Sequence, residues 1–294
     1  MPGKSTRCSI FWFPAKADAM AHVPAERCLG IIELLAGEAG SLPLGEVAER
    51  LGLPKSAAHR LLSTLVDLGW AEQDADTGFY RLTMRLAILG QRFYVATGIP
   101  DVCQPLLDRL ARQSREFVRL AVVDADTLVW VAHAQGAVGG LVYQPSLASN
   151  TVPLYATASG KAWLATLGGE RAIRSVIRQD TFDDADKYGP NAVRSAKALL
   201  REVEATAKRG WGLARNEAEP GVTALAAAIR PSNGGSALGT VSIAGPSVRL
   251  TDARVRELAD IVVQGARELS SLWPLLSRNA ANAPAKPLAE TAAI

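Results

Sequence analysis

The segment over residues 44–60, LGEVAERLGLPKSAAHR, constrains the fold of this chain more than any other stretch. It predicts a short helix, a tight break at Gly52 and a second helix that begins near Pro54. Glycine tolerates left-handed backbone angles, and proline suits the first turn of a helix, where its missing N–H costs little. Two short helices joined in this way are typical of a helix-turn-helix.

The flanking residues extend this pair into a winged helix-turn-helix, which we assign to residues 22–82. Apolar periodicity predicts the helices, and β-prone runs around a turn-rich loop predict the strands. In chain order the predicted elements are helices over 24–36, 44–51 and 54–68, and strands over 70–73 and 79–82. Three helices followed by a β-hairpin indicate a DNA-binding head.

The third predicted helix carries a polar stripe opposite its apolar face. Polar side chains recur there at i, i+3, i+4 and i+7, starting at Ser56, so they lie on one side of the helix. A helix with such a face is suited to enter the major groove of duplex DNA. The candidate contacts are, near base edges, Lys55, Ser56 and His59 and, near phosphates, Arg60, Ser63 and Arg81.

Net charge offers this hypothesis little support. The chain carries a formal charge of +3, and residues 21–85 hold six Lys or Arg against nine Asp or Glu, a net −3. Such a balance excludes indiscriminate binding to polyanions, but it allows a local basic face. A winged-helix module that binds another protein and never touches DNA therefore stays open as an alternative.

Composition places the chain in a broad class. Its 294 residues, 48% of them hydrophobic, suffice for two domains. The three cysteines are far apart and show no disulfide or zinc spacing, which predicts a reducing, cytoplasmic location and no metal or cofactor. No apolar run approaches the roughly 20 residues of a membrane helix. Residues 1–21 are expected to form a disordered tail, or alternatively translation begins at Met20.

The rest of the chain predicts an α+β domain behind a connecting helix over 83–98. Gly98, Ile99 and Pro100 break that helix, and we place the domain boundary there. The predicted domain, 99–275, has an antiparallel sheet with helices mostly on one face, and 276–294 form a disordered tail. Its predicted elements are helices over 101–114, 158–167, 192–208 and 252–273, and strands over 117–123, 128–134, 141–144, 211–215, 223–229 and 238–244.

Catalytic patterns are missing from the sequence. Residues 155–161, YATASGK, superficially look like a phosphate loop, but Tyr155 replaces its first glycine and Ala162 its final Ser or Thr. The three histidines lie far apart, and the chain has no G-x-S-x-G, paired-cysteine or H-E-x-x-H pattern. We predict neither catalytic residues nor metal ligands, although a small-molecule enzyme fused to a winged helix stays open.

The chain resembles the IclR family of bacterial transcriptional regulators over about residues 24–273. The motifs that carry the resemblance are LPKSAAHRLL at 53–62, GFYRL at 78–82, LYATASGKA at 154–162, RGWG at 209–212, EAEPG at 217–221 and GTVSIAGP at 239–246. The resemblance implies a GAF-like effector-binding domain behind the winged helix and assembly into dimers or tetramers. It also implies a double-stranded DNA operator and a small-molecule effector as partners.

The start of the predicted helix over 158–167 allows two interpretations. Ser159 and the free N–H groups near Gly160 could attract an anion, or the small residues could simply permit close packing. The resemblance favours a ligand. The pocket residues that it implies are Val152, Leu154, Ala158, Ser159 and Gly160 on one side and Ala214, Val222, Ala224, Ser242 and Ala244 on the other.

Several of these pocket positions hold alanine where some relatives of the family carry polar side chains. Alanines at 214, 224 and 244 leave an apolar site with few polar anchors. We therefore expect a ligand-responsive, DNA-binding regulator of a catabolic operon. Its expected effector is a small organic acid with an apolar or aromatic body, whose carboxylate lies near Ser159 and Gly160.

Overall fold

A computed structural model of the protein describes residues 24–38, 40–145, 150–179, 182, 187–231 and 234–282. The chain divides into two compact units between Phe93 and Tyr94, inside the predicted connecting helix. Residues 1–21 and 283–294, which belong to the two predicted tails, lie outside the described ranges. Within those ranges, every helix is too short or too polar to cross a lipid bilayer.

The first unit has the predicted order of three helices and a hairpin. Its elements are α1 (Pro24–Ala36), α2 (Leu44–Arg50), α3 (Lys55–Asp67), β1 (Ala71–Gln73) and β2 (Tyr80–Leu82), followed by α4 (Arg85–Ala96), which crosses the division between the units. Gly52 separates α2 from α3 with a φ of 62°, in the left-handed region that glycine adopts without strain. The predicted winged helix-turn-helix is confirmed.

A small apolar core holds the three helices and the hairpin together. Ile31 of α1, Val47 of α2 and Leu62 of α3 are fully buried in it, and Tyr80 of β2 is 2% exposed. The Leu42 and Tyr80 backbones also pair in an isolated antiparallel bridge, which ties the segment before α2 to the wing. The core therefore fixes α3 relative to both neighbouring helices and the hairpin.

The second unit is an antiparallel sheet with helices, so the predicted α+β class is confirmed. Its elements are α5 (Ile99–Ser114), β3 (Phe117–Asp124), β4 (Thr127–Gln135), α6 (Ala158–Leu167), α7 (Gly169–Gln179), α8 (Ala196–Arg209), β5 (Gly212–Arg215), β6 (Val222–Ile229), β7 (Gly239–Pro246) and α9 (Asp252–Asn282). The strand order is β4-β3-β7-β6-β5, and each neighbouring pair is antiparallel.

Helices cover both faces of this sheet, which corrects the prediction of helices mostly on one face. On one face, α5 and α9 pack against large side chains such as Leu225 and Ile229 of β6. On the other face, α6 packs against Ala224 and Ala226 of the same strand. A β6 sequence that alternates alanine with larger apolar residues therefore buries both of its sides.

The largest differences from the predicted elements of this unit are three, apart from α8, which begins at Ala196 rather than at residue 192. Residues 141–144 form no strand, because residues 150–152 pair with the outer edge of β4 instead, through hydrogen bonds to Trp130 and Leu128. Gly168 ends α6 with a φ of 80°, but α7 begins at the next residue rather than a loop. The last helix, α9, continues beyond Pro274 to Asn282, where the sequence predicts a disordered tail.

Candidate functional site

The polar stripe of α3 is open to solvent. Lys55, Ser56, His59 and Arg60 are exposed and Ser63 is half-buried, while the opposite face of the helix is buried in the core. In the described part of the chain, none of the side chains of the first four residues has a hydrogen-bond or ion-pair partner. The structure therefore brings five of the six predicted DNA-contacting residues onto one accessible face.

Two other basic residues of the first unit, Arg50 and Arg85, have local partners. Arg50 pairs with Glu38 at 2.5 Å and with Glu46. The guanidinium of Arg85 donates to the carbonyl of Leu68 at the end of α3 and lies over the Trp70 ring, 5.0 Å from its centroid. These pairs explain how an acidic domain can still leave Lys55 and Arg60 as unpartnered cations on α3.

Arg81 differs from the other predicted phosphate contacts. It lies directly opposite Glu72 in the β-hairpin, and its Nε donates to that carboxylate at 2.5 Å. Both side chains are at least half exposed, so this pair is screened by water. Arg81 is therefore on the wing, apart from the α3 stripe, with one of its donors already engaged.

A cavity of about 370 Å³ lies in the second unit, between the sheet and the start of α6. Seven of the ten predicted pocket residues line it. They are Ala158, Ser159, Ala214, Val222, Ala224, Ser242 and Ala244. The strand register explains this grouping, because Ala224 lies opposite both Ala214 and Ala244 and so presents its side chain on the same face of the sheet.

The other three predicted pocket residues do not line the cavity. Val152 and Leu154 are at most 1% exposed and pack in the apolar core beneath α6. The N–H of Gly160 donates to Oγ1 of Thr157, the N-cap of the helix, at 2.9 Å. A Cβ at Gly160 would lie 2.1 Å from the Leu154 carbonyl oxygen, so this glycine permits close packing rather than presenting a donor to a ligand.

Sequence reasoning missed most of the polar and aromatic lining. The further residues around the cavity are Arg119, Trp130, Tyr143, Pro145, Thr151, Pro153, Thr157, Lys187, Tyr188, Ala218 and Glu219. The signal for Arg119 was present, since it is a charged residue inside the apolar run of β3. Charged side chains within such strands are rarely buried without a specific role.

Two buried polar atoms of the cavity lack a hydrogen-bond partner among the residues that the structure describes. They are Oγ of Ser159, in a residue that is 1% exposed, and Nη2 of Arg119. Burial lowers the pKa of Arg119, while the nearby Tyr143 and Glu219 act in the opposite direction. Unsatisfied buried polar groups are rare in folded proteins, and each one points to a partner such as a ligand or water.

Tyr143 and Glu219 face each other across the same cavity. The Tyr143 hydroxyl donates to a Glu219 carboxylate oxygen at 3.0 Å, and the Tyr143 ring packs edge-on against Phe117. Burial raises the pKa of Tyr143, and Glu219 raises it further. The neutral phenol is therefore the stable form, and it links the segment after β4 to the turn before β6.

Lys161 does not line the cavity and is buried in an ion pair instead. Its side chain is 1% exposed, and Nζ donates to Glu217 at 2.7 Å and to the Leu213 carbonyl at 3.2 Å, with Glu202 at 3.3 Å. Burial raises the pKa of Glu217, and the Lys161 ammonium acts against that rise. The pair fastens α6 to β5 and to the turn that carries Ala218 and Glu219.

Comparison with known families gives two matches. Residues 92–271 match the family "Bacterial transcriptional regulator IclR C-terminal", and residues 24–75 match "IclR helix-turn-helix domain". Together they cover both structural units. The matches agree with the exposed α3 stripe in the first unit and with the cavity in the second.

Individual relatives agree with the family matches. The chain is 32% identical over 248 residues to "HTH-type transcriptional regulator BhcR" of Paracoccus denitrificans, which covers 83% of this chain and 85% of that protein. It is 29% identical over 260 residues to "Transcriptional repressor IclR" of Escherichia coli, covering 87% and 93%. A solved IclR homolog from Microbacterium hydrocarbonoxydans, complexed with 4-hydroxybenzoate, superposes with a TM-score of 0.67 at 25% identity, covering 86% of this chain and 100% of that one.

Proposed function

The chain belongs to the IclR family of bacterial transcriptional regulators, and from that membership we propose that it controls a catabolic operon in response to a small organic acid. The observation that carries the proposal is the pairing of two sites in one chain. One is an exposed polar stripe on α3 whose first four side chains have no partner, and the other is a cavity with unsatisfied polar atoms.

For operator recognition, we assign base contacts to Lys55, Ser56 and His59 and phosphate contacts to Arg60 and Ser63. Phosphate contacts stabilise every DNA complex to a similar extent, whereas base contacts discriminate between sequences. Arg81, on the wing, is assigned a phosphate contact, which its guanidinium makes while it stays paired with Glu72. The protein is expected to bind as a dimer to half-sites about 34 Å apart, or a multiple of that spacing.

A gel-shift titration with the DNA upstream of the gene tests these assignments. Arg60→Ala is expected to weaken binding to all sequences by a similar factor. His59→Ala is expected to alter the preference among base substitutions in the operator. Unchanged affinity and unchanged preference in both variants would contradict the assigned contacts, and an absence of binding to any duplex would favour a protein-interaction module.

Self-association is supported by the connecting helix α4. This helix buries none of its side chains within the described chain, although Ile88, Leu89, Phe93 and Val95 are apolar and at least 51% exposed. They lie on two sides of the helix, Ile88 with Val95 on one and Leu89 with Phe93 on the other. We assign this exposed apolar helix to contact with a second copy of the chain, and sedimentation of an Ile88→Asp variant tests the assignment against a monomer.

The proposed effector is a carboxylic acid with an apolar or aromatic body. The cavity walls formed by Ala214, Ala224 and Ala244 are apolar, and the solved homolog from Microbacterium hydrocarbonoxydans was complexed with 4-hydroxybenzoate. Calorimetric titration with aromatic acids and with short polar acids tests the class. Tighter binding of a short polar acid such as glyoxylate would contradict it.

Regulation requires the effector to bind DNA-competent and DNA-incompetent arrangements with different affinities. A coupling of about 1–3 kcal/mol corresponds to a change of about 5- to 150-fold in operator affinity. The curated relatives BhcR and IclR are named as a transcriptional regulator and a repressor. We therefore propose no catalytic activity for the second unit.

A further inference from the structure

Arg119 occupies an unusual position for a charged residue. It lies in β3, the second strand from one edge of the sheet, opposite Ser242 of β7 and His133 of β4. Its guanidinium carbon is 4.7 Å from the centroid of the Trp130 ring and 5.2 Å from that of the Phe117 ring. Cation–π contacts hold the guanidinium in place, but they leave its N–H groups without acceptors.

Two carboxylates of this unit are paired with other cations, while Glu219 acts on Arg119 only from a distance. Glu217 pairs with Lys161, Glu116 accepts two hydrogen bonds from Arg249, and Glu219 accepts the hydroxyl of Tyr143. Over the residues that the structure describes, no carboxylate lies within 4.0 Å of the Arg119 guanidinium. A guanidinium keeps its charge at any physiological pH, so a buried N–H without an acceptor calls for an anion from outside.

Ser159 supplies a second donor at the same cavity. It is the second residue of α6, after the N-cap Thr157, and its hydroxyl is buried without a partner. Its backbone N–H belongs to the first turn of the helix, where N–H groups have no acceptor within the helix and the helix dipole favours negative charge. A carboxylate has two acceptor oxygens, one for the guanidinium N–H and one for the hydroxyl.

The remaining lining restricts what can be attached to that anion. Three alanines form an apolar wall, and the Trp130 ring adds a flat one. A second carboxylate on the ligand would be repelled by Glu219, which accepts the Tyr143 hydroxyl, while Lys187 of the same lining already has an interaction partner. A volume of about 370 Å³ accommodates a single ring with one charged substituent.

We propose that Arg119 is the charge-selecting residue of the effector cavity, and that with Ser159 it holds the carboxylate of a flat, apolar monocarboxylate. This proposal rests on the proposed function of the cavity as an effector site. It moves the anion contact from Gly160, whose N–H is occupied by Thr157, to a residue of the sheet.

Calorimetry with matched acid and amide pairs tests the proposal. The probes are benzoate, 4-hydroxybenzoate, phenylacetate and cyclohexanecarboxylate, each compared with its neutral amide, and terephthalate as a dicarboxylate. The wild-type protein is expected to bind at least one acid about 10- to 150-fold more tightly than its amide, the range for a hydrogen bond to a charged group. Terephthalate is expected to bind more weakly than benzoate.

Arg119→Met is expected to remove the preference, so that acid and amide bind with equal affinity. Arg119→Lys keeps the charge and is expected to retain part of the preference, which separates a charge role from a packing role. Ser159→Ala is expected to weaken acid binding by a smaller factor. Thermal melts of each variant confirm that the second unit is folded.

Two results would overturn the proposal: an Arg119→Met protein that still prefers the acid, or a wild-type protein that binds none of the acids at millimolar concentration. Failure of the proposed function has a different signature. In that case acids bind and the preference depends on Arg119, but saturating acid leaves the affinity for the upstream DNA unchanged.

Discussion

The α3 stripe and the cavity of the second unit meet the same requirement, polar groups ready for a partner, in opposite environments. On α3 the polar side chains are in water, and an apolar core on the other side of the helix holds them in position. In the cavity, Ser159 and Arg119 carry polar atoms that are buried and unpaired. Polar groups in water keep their hydrogen bonds, while each buried unsatisfied group costs about 1–3 kcal/mol.

The two sites differ in which residues stabilise them. The head can lose an exposed polar side chain of its stripe, such as Ser56 or His59, with little effect on folding, because these side chains are in water. The cavity depends on a support outside its own lining, namely the buried Lys161–Glu217 pair that anchors α6. In the head, a substitution can therefore change DNA binding without changing stability. In the cavity, the buried unpaired groups that favour ligand binding lower the stability of the fold.

The largest expected effect is on that support. Lys161→Met leaves Glu217 buried without its cation, so we expect the free energy of unfolding of the second unit to fall by about 3–5 kcal/mol. A double variant, Lys161→Met with Glu217→Leu, is expected to recover most of the loss, because no buried charge remains. Urea denaturation measures both, and a loss below about 1 kcal/mol in the single variant would contradict the role assigned to the pair.

The next prediction addresses the core of the head. Leu62 is fully buried, so Leu62→Ala is expected to destabilise the first unit by about 2–5 kcal/mol and to reduce DNA binding by unfolding. Effector binding is expected to persist. The matched control is Thr64→Ala on the exposed side of the same helix, which is expected to change stability by less than about 0.5 kcal/mol. Equal losses in both variants would show that α3 is not packed as described.

A third prediction separates unpartnered from partnered cations. Arg60→Ala is expected to lower the slope of log affinity against log salt by about one, since it removes one phosphate neutralisation. Arg50→Ala is the control, because Glu38 and Glu46 already neutralise that guanidinium. Fluorescence anisotropy over a range of salt concentrations measures the slopes, and a fall with Arg50→Ala equal to that with Arg60→Ala would refute the assignment.

The smallest expected effect tests most directly whether the Ser159 hydroxyl in the cavity has a partner within the protein. Ser159→Ala removes a buried hydroxyl without a partner, so we expect a gain of about 1 kcal/mol, or about 2–4 °C in Tm, together with weaker acid binding. Thr157→Ala removes the N-cap of the same helix and is expected to lower stability by about 1 kcal/mol. Shifts of the same sign in the two melts would mean that Ser159 has a structural partner.

The sequence allowed accurate prediction of those helices that a single apolar periodicity defines. Helices α1 and α6 have the predicted bounds, because strong apolar patterns end at clear breaks, and the open stripe of α3 follows directly from its spacing. Helix α7 was missed because two adjacent glycines, Gly168 and Gly169, are typical of a helix end followed by a loop. Here the first glycine ends one helix and the second begins the next.

The cavity could be predicted only in part. The small residues on β5, β6 and β7 were found, but through the resemblance to a family rather than through their own chemistry. Arg119 was visible in the sequence as a charged residue inside an apolar strand. Its neighbours in the cavity could not be predicted, because Trp130, Tyr143 and Ser242 reach it through pairing between distant strands and through the segment after β4.

We propose that binding of an acid in the cavity changes the affinity of the protein for its DNA. The most direct test of this proposal is the Kd for the upstream DNA fragment, measured by anisotropy with and without a saturating aromatic monocarboxylate, in the wild-type protein and in Arg119→Met. We expect the acid to change this Kd by about 5- to 150-fold in the wild-type protein and to leave it unchanged in Arg119→Met. An unchanged Kd in the wild type, at an acid concentration shown by calorimetry to fill the site, would contradict the proposal.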